Sequence, residues 1–182
     1  MRISMIGFAG ALLLSVTAGP GAIAASKAGP DPVGSATGYY GSVADLPSSV
    51  SALAASPAIT AGSCEYEQRT DDVHFSGTGW AASGHGWWMR SAGTCPSKAN
   101  ADIELQAVWC DQYGCRWRTV ASGSKDVYAG GGSANRAAAR EDCGGSKTVG
   151  WRLRVDVDLL AVSDPSGWTY SSGRDLACYP SS

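Results

Sequence analysis

Two histidines are the side chains of this chain that are best suited to exchange protons near neutral pH. His74 follows the carboxylates Asp71 and Asp72, and His85 lies between two glycines. A histidine next to a carboxylate can act as a general base. On a short polar strand, however, a histidine is usually a surface residue, and this is the role that we predict for both.

A pair of carboxylates, Asp156 and Asp158, lies in a segment with the periodicity of a strand. Side chains two residues apart share one face of a strand, so this pair has the spacing to bind calcium or to hydrolyse a glycoside. Arg152 and Arg154 share the same face. A neighbouring strand over Arg116–Arg118 would add further arginines, so we predict a ladder of cross-strand ion pairs at these aspartates.

Recognised signatures of catalysis and metal binding are missing from the sequence. It has no G-x-S-x-G nucleophile elbow, no HExxH motif and no EF-hand loop. The glycine run Gly130–Gly132 is not followed by a helix with a basic residue, as a phosphate loop requires. A zinc site would need closely spaced cysteine pairs or histidines near them, and neither is present. We therefore predict no catalytic residues, no metal and no cofactor.

The aromatic composition points towards binding, with 7 Trp and 7 Tyr but only 2 Phe. Trp and Tyr combine an apolar ring with a polar group, which suits half-buried strands and binding surfaces. Most of them are expected to pack a small β core. Trp87 and Trp88 are neighbours, and neighbours on a strand point to opposite faces, so one indole is expected to face outward. An outward indole can stack on a sugar ring or on an aromatic partner.

The six cysteines are expected to form three disulfides. Cys110 and Cys115 flank a four-residue turn, Asp111–Gly114, in which Gly114 can supply the positive φ that such turns often need. If this hairpin closes symmetrically, its two cysteines face each other within reach of a disulfide. Among the 15 pairings that six cysteines allow, proximity in sequence favours the simplest pairing of the others. These pairs are Cys64–Cys95 and Cys143–Cys178.

The tip of this hairpin is the predicted binding surface. Tyr113 stands at the tip, where a phenol ring has little to pack against, and Arg116 and Trp117 follow on the next strand. Rigid aromatic side chains beside hydrogen-bonding groups make better anchors for a partner than ions that are already paired. With the tryptophan pair added, the candidate binding residues are Trp87, Trp88, Tyr113, Arg116 and Trp117.

Alternating patterns predict an all-β fold. Trp151–Leu159 places its apolar residues on one face and two arginines and two aspartates on the other, and Asp102–Trp109 alternates in a similar way. Ala134–Glu141 has helical propensity, but the spacing of the surrounding strands favours a strand. About seven short strands separated by turns predict a single antiparallel β-sandwich of immunoglobulin-like architecture, stapled by disulfides.

The N-terminal segment Met1–Ala24 has the three parts of a secretion signal: a basic residue, a short apolar run and an A-x-A pattern before the cleavage point. Its apolar run is too short and too interrupted to span a membrane. We expect cleavage near Ala24, a secreted protein, and no membrane span after cleavage. Residues Ala25–Ser63 are rich in Ala, Ser, Gly and Pro, which predicts a flexible leader before a folded domain at Cys64–Ser182.

The charge of the chain narrows the choice of partner. A formal net charge of -2 and a sequence pI of about 5.6 argue against nucleic acid, because proteins that bind phosphate backbones usually have a strong basic excess. The remaining partners are extracellular carbohydrates or proteins. The sequence carries no indication of the oligomeric state.

The region from Trp87 to Cys178 carries a recognisable set of local features. They are Trp109-Cys110 before the turn, the Gly130–Gly132 run, and Trp151-Arg152 leading into Val155–Leu159. In type and spacing these features resemble a group of small secreted bacterial proteins of unknown function. The resemblance implies a secreted, β-rich single domain, and it implies no site and no activity.

We therefore expect a secreted, non-catalytic binding module that holds a carbohydrate or a cell-wall surface through exposed aromatic residues. A first alternative is a protein-binding role, such as a peptidase inhibitor that offers Gln112 and Tyr113 on the rigid Cys110–Cys115 hairpin. A second alternative is a secreted hydrolase that uses Asp156, Asp158 or a histidine.

Overall fold

The structure is a computed structural model, and it describes residues 38–50 and 58–182. The predicted secretion signal, Met1–Ala24, lies outside these residues, and so do parts 25–37 and 51–57 of the predicted leader. The described residues form an all-β fold of twelve strands in two sheets, where the sequence predicts about seven strands. Within these ranges the helical segments are two short 3-10 turns, and no helix is long and apolar enough to cross a membrane.

The first sheet contains six antiparallel strands. They are β1 (Tyr39–Tyr40), β6 (Lys98–Asp111), β7 (Gly114–Tyr128), β9 (Val149–Leu159), β10 (Thr169–Tyr170) and β11 (Arg174–Leu176). β6 is the central strand, because it pairs with β7 along one side and with β9 and β1 along the other. The short strands β10 and β11 pair with the far side of β9.

The second sheet also contains six antiparallel strands. They are β2 (Ile59–Ala61), β3 (Cys64–Thr70), β4 (His74–Phe75), β5 (Ala81–Gly93), β8 (Ala137–Gly145) and β12 (Tyr179–Pro180). Their order is β12-β8-β5-β3-β2. The two-residue strand β4 pairs with the start of β5, beyond the point where β3 ends.

The strongest sequence patterns form the strands that they predict. The apolar residues of β9 are buried, and the arginines and aspartates between them are partly or fully exposed. The preference for a strand over a helix at Ala134–Glu141 is confirmed from Ala137 onward, where β8 begins after a 3-10 turn at Ser133–Asn135. The alternation of apolar and polar residues therefore correctly predicts the long strands of this chain.

The two sheets share one hydrophobic core. Inward residues of β3, β5, β6, β8 and β9 belong to a single buried cluster. Gly84 of β5 lies directly against Leu153 of β9, and a Cβ atom at Gly84 would lie 2.0 Å from Leu153 Cδ1. Gly86 lies against Val155 in the same way. Because only glycine has no side chain at these positions, only glycine allows this close approach of the two strands.

A smaller second core lies on the opposite face of β6. Val108 and Cys110 are buried there together with Leu46, and Val50 and Trp117 pack against them. The alternation of β6 predicts that Val108 faces solvent, but residues of the segment before β2 cover it. The outer face of β6 is thus polar at one end and apolar at the other.

Residues upstream of Cys64, the predicted start of the domain, take part in the fold. Tyr40 is 4% exposed, and its ring makes edge-to-face contacts with Trp109 at 5.1 Å and Tyr179 at 5.2 Å. β1 and β2 pair with β6 and β3, respectively. The folded part of the chain therefore includes parts of the predicted leader, because these segments complete sheet edges and cover β6.

All six cysteines are paired, and the three predicted disulfides are confirmed. In the β6–β7 hairpin, Cys110 faces Cys115 and Asp111 faces Gly114. Gly114 has a φ of 106°, as the turn sequence predicts. The tip of this hairpin is therefore closed by a covalent bond.

Removing the disulfides one at a time should destabilise the fold according to the length of loop that each closes. Cys143 and Cys178 are 35 residues apart, whereas Cys110 and Cys115 are 5 apart. Loop-closure entropy predicts a loss of about 4 kcal/mol in the free energy of unfolding for Cys143→Ala/Cys178→Ala and about 2 kcal/mol for Cys110→Ala/Cys115→Ala. Urea unfolding followed by circular dichroism measures both losses, and a reversed order would contradict this account.

Candidate functional site

The tryptophan pair of β5 divides between the two faces of its sheet, as predicted. Trp88 is fully buried, and its Nε1 donates a hydrogen bond to the Val127 carbonyl oxygen at 3.1 Å. Trp88 is therefore a core residue, and its prediction as a binding residue is wrong. Trp87 is half-buried on the outer face, where the Arg136 guanidinium stacks 4.6 Å from the ring centroid.

The hairpin tip carries the most exposed aromatic ring, since Tyr113 is 82% exposed. Asp111 organises the turn, because its carboxylate accepts hydrogen bonds from Arg116 at 2.7 Å and from the Tyr113 N–H at 2.9 Å. These bonds hold the pKa of Asp111 below its usual value. Trp117 instead packs into the second core. The five predicted binding residues are thus divided between two sheets and two cores and do not form one surface.

Aromatic rings hold the arginines of β9. The Arg152 guanidinium lies between Trp117 and Tyr170, at 4.6 Å and 4.5 Å from the ring centroids. Burial lowers the pKa of Arg152 to about 10. Arg154 stacks on Trp168 at 4.1 Å. These contacts fix both the cations and the rings on the outer face of the first sheet.

The predicted ladder of ion pairs at Asp156 and Asp158 is wrong. β9 pairs with β6 and not with β7, so the strand that carries Arg116–Arg118 is not its neighbour. The residue opposite Asp156 is another carboxylate, Asp102. In the part of the chain that the structure describes, no basic side chain lies within ion-pair distance of Asp156 or Asp158.

Four carboxylates, Asp102, Asp156, Asp158 and Asp164, form an acidic cluster around this part of β9. Burial raises the pKa of Asp156 and of Asp158, and the negative charges of Asp102 and Asp164 raise both further. Asp164 accepts a hydrogen bond from the Tyr66 hydroxyl at 2.7 Å. Mutual repulsion without a compensating cation is unfavourable for the folded state, and such arrangements are frequent at functional sites.

Beside the acidic cluster, the first sheet has a hollow of about 370 Å³, which we call the Trp168 hollow. The indole of Trp168 forms one wall, and the hairpin strands β6 and β7 form the rest. In their register, Ser122 lies opposite Glu104 and Ser124 lies opposite Asp102. The lining residues are Asp102, Ile103, Glu104, Ser122, Gly123, Ser124 and Trp168.

Glu104 is held in one position at the edge of this hollow. Its Oε2 accepts hydrogen bonds from Arg154, with Nε at 2.9 Å and Nη2 at 2.7 Å, and from the Thr119 hydroxyl. No residue in the described ranges donates a hydrogen bond to Oε1. One oxygen thus fixes the carboxylate while the other can accept a hydrogen bond from a ligand.

Sequence reasoning missed the Trp168 hollow, although part of its signal was present. The alternation of Asp102–Trp109 already places Asp102 and Glu104 on one face. The alternating serines of Ser122–Ser124 give the same spacing on the next strand. What the sequence does not show is that Trp168 joins them, because this depends on its stacking on Arg154 after the loop that follows β9.

The two histidines and Asp71 form a second group, which we call the histidine cluster. One ligand-type atom from each of Asp71, His74 and His85 lies within 4.8 Å of the other two. His85 Nδ1 is 2.7 Å from Asp71 Oδ2, and His74 Nδ1 is 2.9 Å from the Asp72 carbonyl oxygen. The two rings stack with centroids 5.4 Å apart. Sequence reasoning treated these histidines as separate surface residues, whereas the structure brings them together.

A scan against protein-family models finds no family that matches the chain, and a search of curated proteins finds no matching sequence. Of the described surfaces, the Trp168 hollow combines an aromatic wall, carboxylates and hydroxyl groups in one concave space. This combination makes it the candidate functional site.

Replacing each tryptophan of the β5 pair should separate a core residue from a surface residue. Trp88→Ala should lower the free energy of unfolding by about 3 to 5 kcal/mol, because it empties a large space in the core. Trp87→Ala, the matched control, should cost about 1 kcal/mol, since it loses mainly the stack on Arg136. Equal losses in urea unfolding would contradict the assignment of the two faces.

The acidic cluster predicts a pH-dependent gain in stability from Asp156→Asn. Because the folded state raises the pKa of Asp156, the ionised carboxylate destabilises the fold at pH values above that raised pKa. The substitution should therefore raise the free energy of unfolding at neutral pH, and the gain should disappear as the pH falls below the ordinary pKa of aspartate. Urea unfolding at several pH values tests this. The control is Asp126→Asn, at an exposed residue outside the cluster, which should show no such gain.

Proposed function

We propose that the protein is a secreted, non-catalytic β-sandwich that binds a carbohydrate in the Trp168 hollow. The observation that carries this proposal is the indole wall beside two carboxylates and two hydroxyl groups, in a hollow of about 370 Å³. A sugar offers an apolar face of C–H groups and a ring of hydroxyl groups. The hollow supplies a partner for each kind of group.

The chemistry of the lining residues fits a sugar. A large aromatic ring packs well against an apolar C–H face, and Trp168 is kept in place by its stack on Arg154 at 4.1 Å. Asp102 and Glu104 are hydrogen-bond acceptors on the same face of β6, where they can receive bonds from neighbouring sugar hydroxyls. Ser122 can donate and accept, and Ser124, which gives its O–H to Asn100, can accept. Ligand sites typically combine an apolar wall with a few well-placed polar groups of this kind.

Pre-organisation favours binding in this hollow. Glu104 is fixed by Arg154 and Thr119 before any ligand arrives. Ser124 donates a hydrogen bond to Asn100 Oδ1 at 3.1 Å, and Gly123 packs so closely to Ala138 that a Cβ would lie 2.1 Å from its carbonyl oxygen. Side chains and backbone that are already ordered lose little conformational entropy when a ligand binds.

The pairing of Glu104 makes it unsuited to be the acid of a glycosidase, which leaves Asp102 as the other carboxylate that lines the hollow for that role. A glycosidase of the usual kind needs one carboxylic acid that is protonated when the substrate arrives. Glu104 instead makes an ion pair with Arg154 at 2.7 Å. The hydrolase alternative is kept as an outcome of the experiment below, through the release of reducing sugar.

The secreted location and the sandwich architecture are parts of the same proposal. Three disulfides are typical of proteins outside the reducing cytosol, and the predicted signal at Met1–Ala24 agrees with this location. Two antiparallel sheets whose inward residues share one core support a sandwich. In such an architecture the outer faces of the sheets are available to ligands.

A second candidate function is protein binding at the hairpin tip. The specific observation is Tyr113, which is 82% exposed on a turn closed by Cys110–Cys115. A rigid loop with an exposed aromatic ring suits a partner protein such as a peptidase. The two-residue tip between Asp111 and Gly114 offers little length for a substrate-like contact, so this function ranks second.

Retention on insoluble polysaccharides tests the first function, and titration calorimetry with soluble fragments of the retained polymer gives the affinity. Trp168→Ala should weaken binding by about tenfold, the effect of losing a stacking contact worth roughly 1.4 kcal/mol. Asp102→Asn should weaken it without disturbing the Arg154 stack. Trp87→Ala and Tyr113→Ala are the matched aromatic controls and should bind as the unmodified protein does.

Three results would oppose the carbohydrate proposal. The first is the absence of retention on any polysaccharide of a broad panel. The second is loss of binding in Tyr113→Ala together with peptidase inhibition, which would favour the hairpin tip. The third is release of reducing sugar that Asp102→Asn abolishes, which would favour a hydrolase.

A further inference from the structure

We propose that the histidine cluster binds one divalent transition-metal ion through Nε2 of His74 and Nε2 of His85. In this site the Asp71 carboxylate orients His85, and the Asp72 carbonyl oxygen orients His74. The ion belongs to the class that prefers imidazole nitrogen, with Cu²⁺ bound most tightly and Zn²⁺ less tightly. The site lies on the second sheet, and it is independent of the carbohydrate site on the first.

Hydrogen bonds prepare both imidazoles for this role. His74 Nδ1 is 2.9 Å from the Asp72 carbonyl oxygen, which can only accept, so Nδ1 carries the proton and donates. His85 Nδ1 donates to Asp71 Oδ2 at 2.7 Å. With the proton on Nδ1 in a neutral imidazole, Nε2 keeps its lone pair. Metal-binding histidines usually donate their other N–H to a carboxylate or a backbone carbonyl in this way.

Strand pairing fixes the distance between the two rings. In the β4–β5 register His74 lies opposite Ser83, which shares a face with His85 two residues further along β5. The loop between β3 and β4 is tied to the same place, because the Asp71 N–H donates to the His85 carbonyl oxygen at 3.1 Å. Val73 between them is fully buried and anchors the loop. The two imidazole rings are therefore brought together by the fold before any ion binds, with a donor atom of each within 4.8 Å of the other and of an Asp71 oxygen.

The charge around the cluster suits a cation that keeps water ligands. Asp71 also accepts a hydrogen bond from the His85 backbone N–H at 2.6 Å, so its side chain is held against His85 by two bonds. Arg136 lies 3.9 Å from Asp71 Oδ2 and offsets part of its charge. The three side chains are half-buried, which leaves space for solvent on the open side of an ion.

Proton transfer without a metal is less well supported by the same geometry. A histidine that acts as a general base toward a nucleophile needs a hydroxyl or thiol within hydrogen-bond reach. Among residues 38–50 and 58–182, no serine, threonine, tyrosine or cysteine side chain makes a hydrogen bond to either ring. All six cysteines are in disulfides. The stacked pair of imidazoles is more directly suited to an ion.

The test is metal binding by the full chain, purified with a tag that contains no histidine and then treated with a chelator. Titration with Cu²⁺ should give one ion per chain, and the electron paramagnetic resonance spectrum should show hyperfine splitting from two imidazole nitrogens. Zn²⁺ should compete for the site, and Ca²⁺ should not, because it prefers oxygen ligands. A copper spectrum without nitrogen splitting, or a stoichiometry near zero, would overturn the proposal.

Substitutions separate the ligands from the residues that orient them. His74→Gln and His85→Gln should each lower the Cu²⁺ affinity by at least about 100-fold, because each removes one of two nitrogen ligands. Asp71→Asn should lower it by about 10- to 100-fold, the effect expected for an orienting partner. Asp72→Asn is the matched control, since Asp72 acts through its backbone oxygen, and its affinity should not change.

Two outcomes of the substitution series would contradict the site. One is an equal loss in Asp71→Asn and Asp72→Asn, which would indicate general attraction by acidic groups. The other is full affinity in both glutamine variants, which would place the ion elsewhere. Thermal midpoints measured without metal identify any variant that fails to fold. If a variant fails to fold, the nitrogen hyperfine splitting of the copper-loaded unmodified protein alone decides whether histidines bind the ion.

Discussion

The close approach of β5 and β9 determines how the remaining parts of this fold are arranged. Gly84 and Gly86 let the backbone of β5 lie against Leu153 and Val155, and a side chain at either glycine would push the sheets apart. Successive residues of a strand point to opposite faces, so His85 and Trp87 lie on the face opposite the two glycines. One packing constraint therefore buries Trp88 and at the same time turns His85 and Trp87 outward.

The central strand β6 has a comparable role in the first sheet. It pairs with β7 along its whole length and with β9 from Ala99 to Ala107, so an outward residue in that range lies between the two neighbouring strands. Glu104 is the clearest case, because Thr119 of β7 and Arg154 of β9 both donate to it. Trp168 then stacks on that arginine. The wall and the carboxylate of the hollow are thus joined through Arg154, and the position of each depends on the other.

The sequence alone allowed prediction of features that depend on near neighbours. The burial pattern of β9 follows from the alternation of its apolar and polar residues, and the Cys110–Cys115 hairpin follows from the residues of its turn. Both are confirmed. The histidine cluster could not be found in this way, because it depends on the pairing of β4 with β5. The acidic cluster was missed for a similar reason: predicting its partners required knowing that β9 lies beside β6 and not β7. Which residue of the tryptophan pair is buried likewise depends on the register of β5, which no local pattern determines.

The acidic cluster connects the energetics of the fold with its proposed function. Asp102 belongs both to this cluster and to the Trp168 hollow, so its charge contributes to the raised pKa values of Asp156 and Asp158. A lysine or arginine nearby would relieve this repulsion, yet the described residues place the arginines of β9 against aromatic rings and Glu104 instead. Carboxylates that repel one another are good acceptors for the hydroxyl groups of a ligand, because bonds from a ligand offset part of the repulsion. Repulsion that lowers the stability of the fold at this end of β9 is therefore expected at the proposed binding site for a polyhydroxylated ligand.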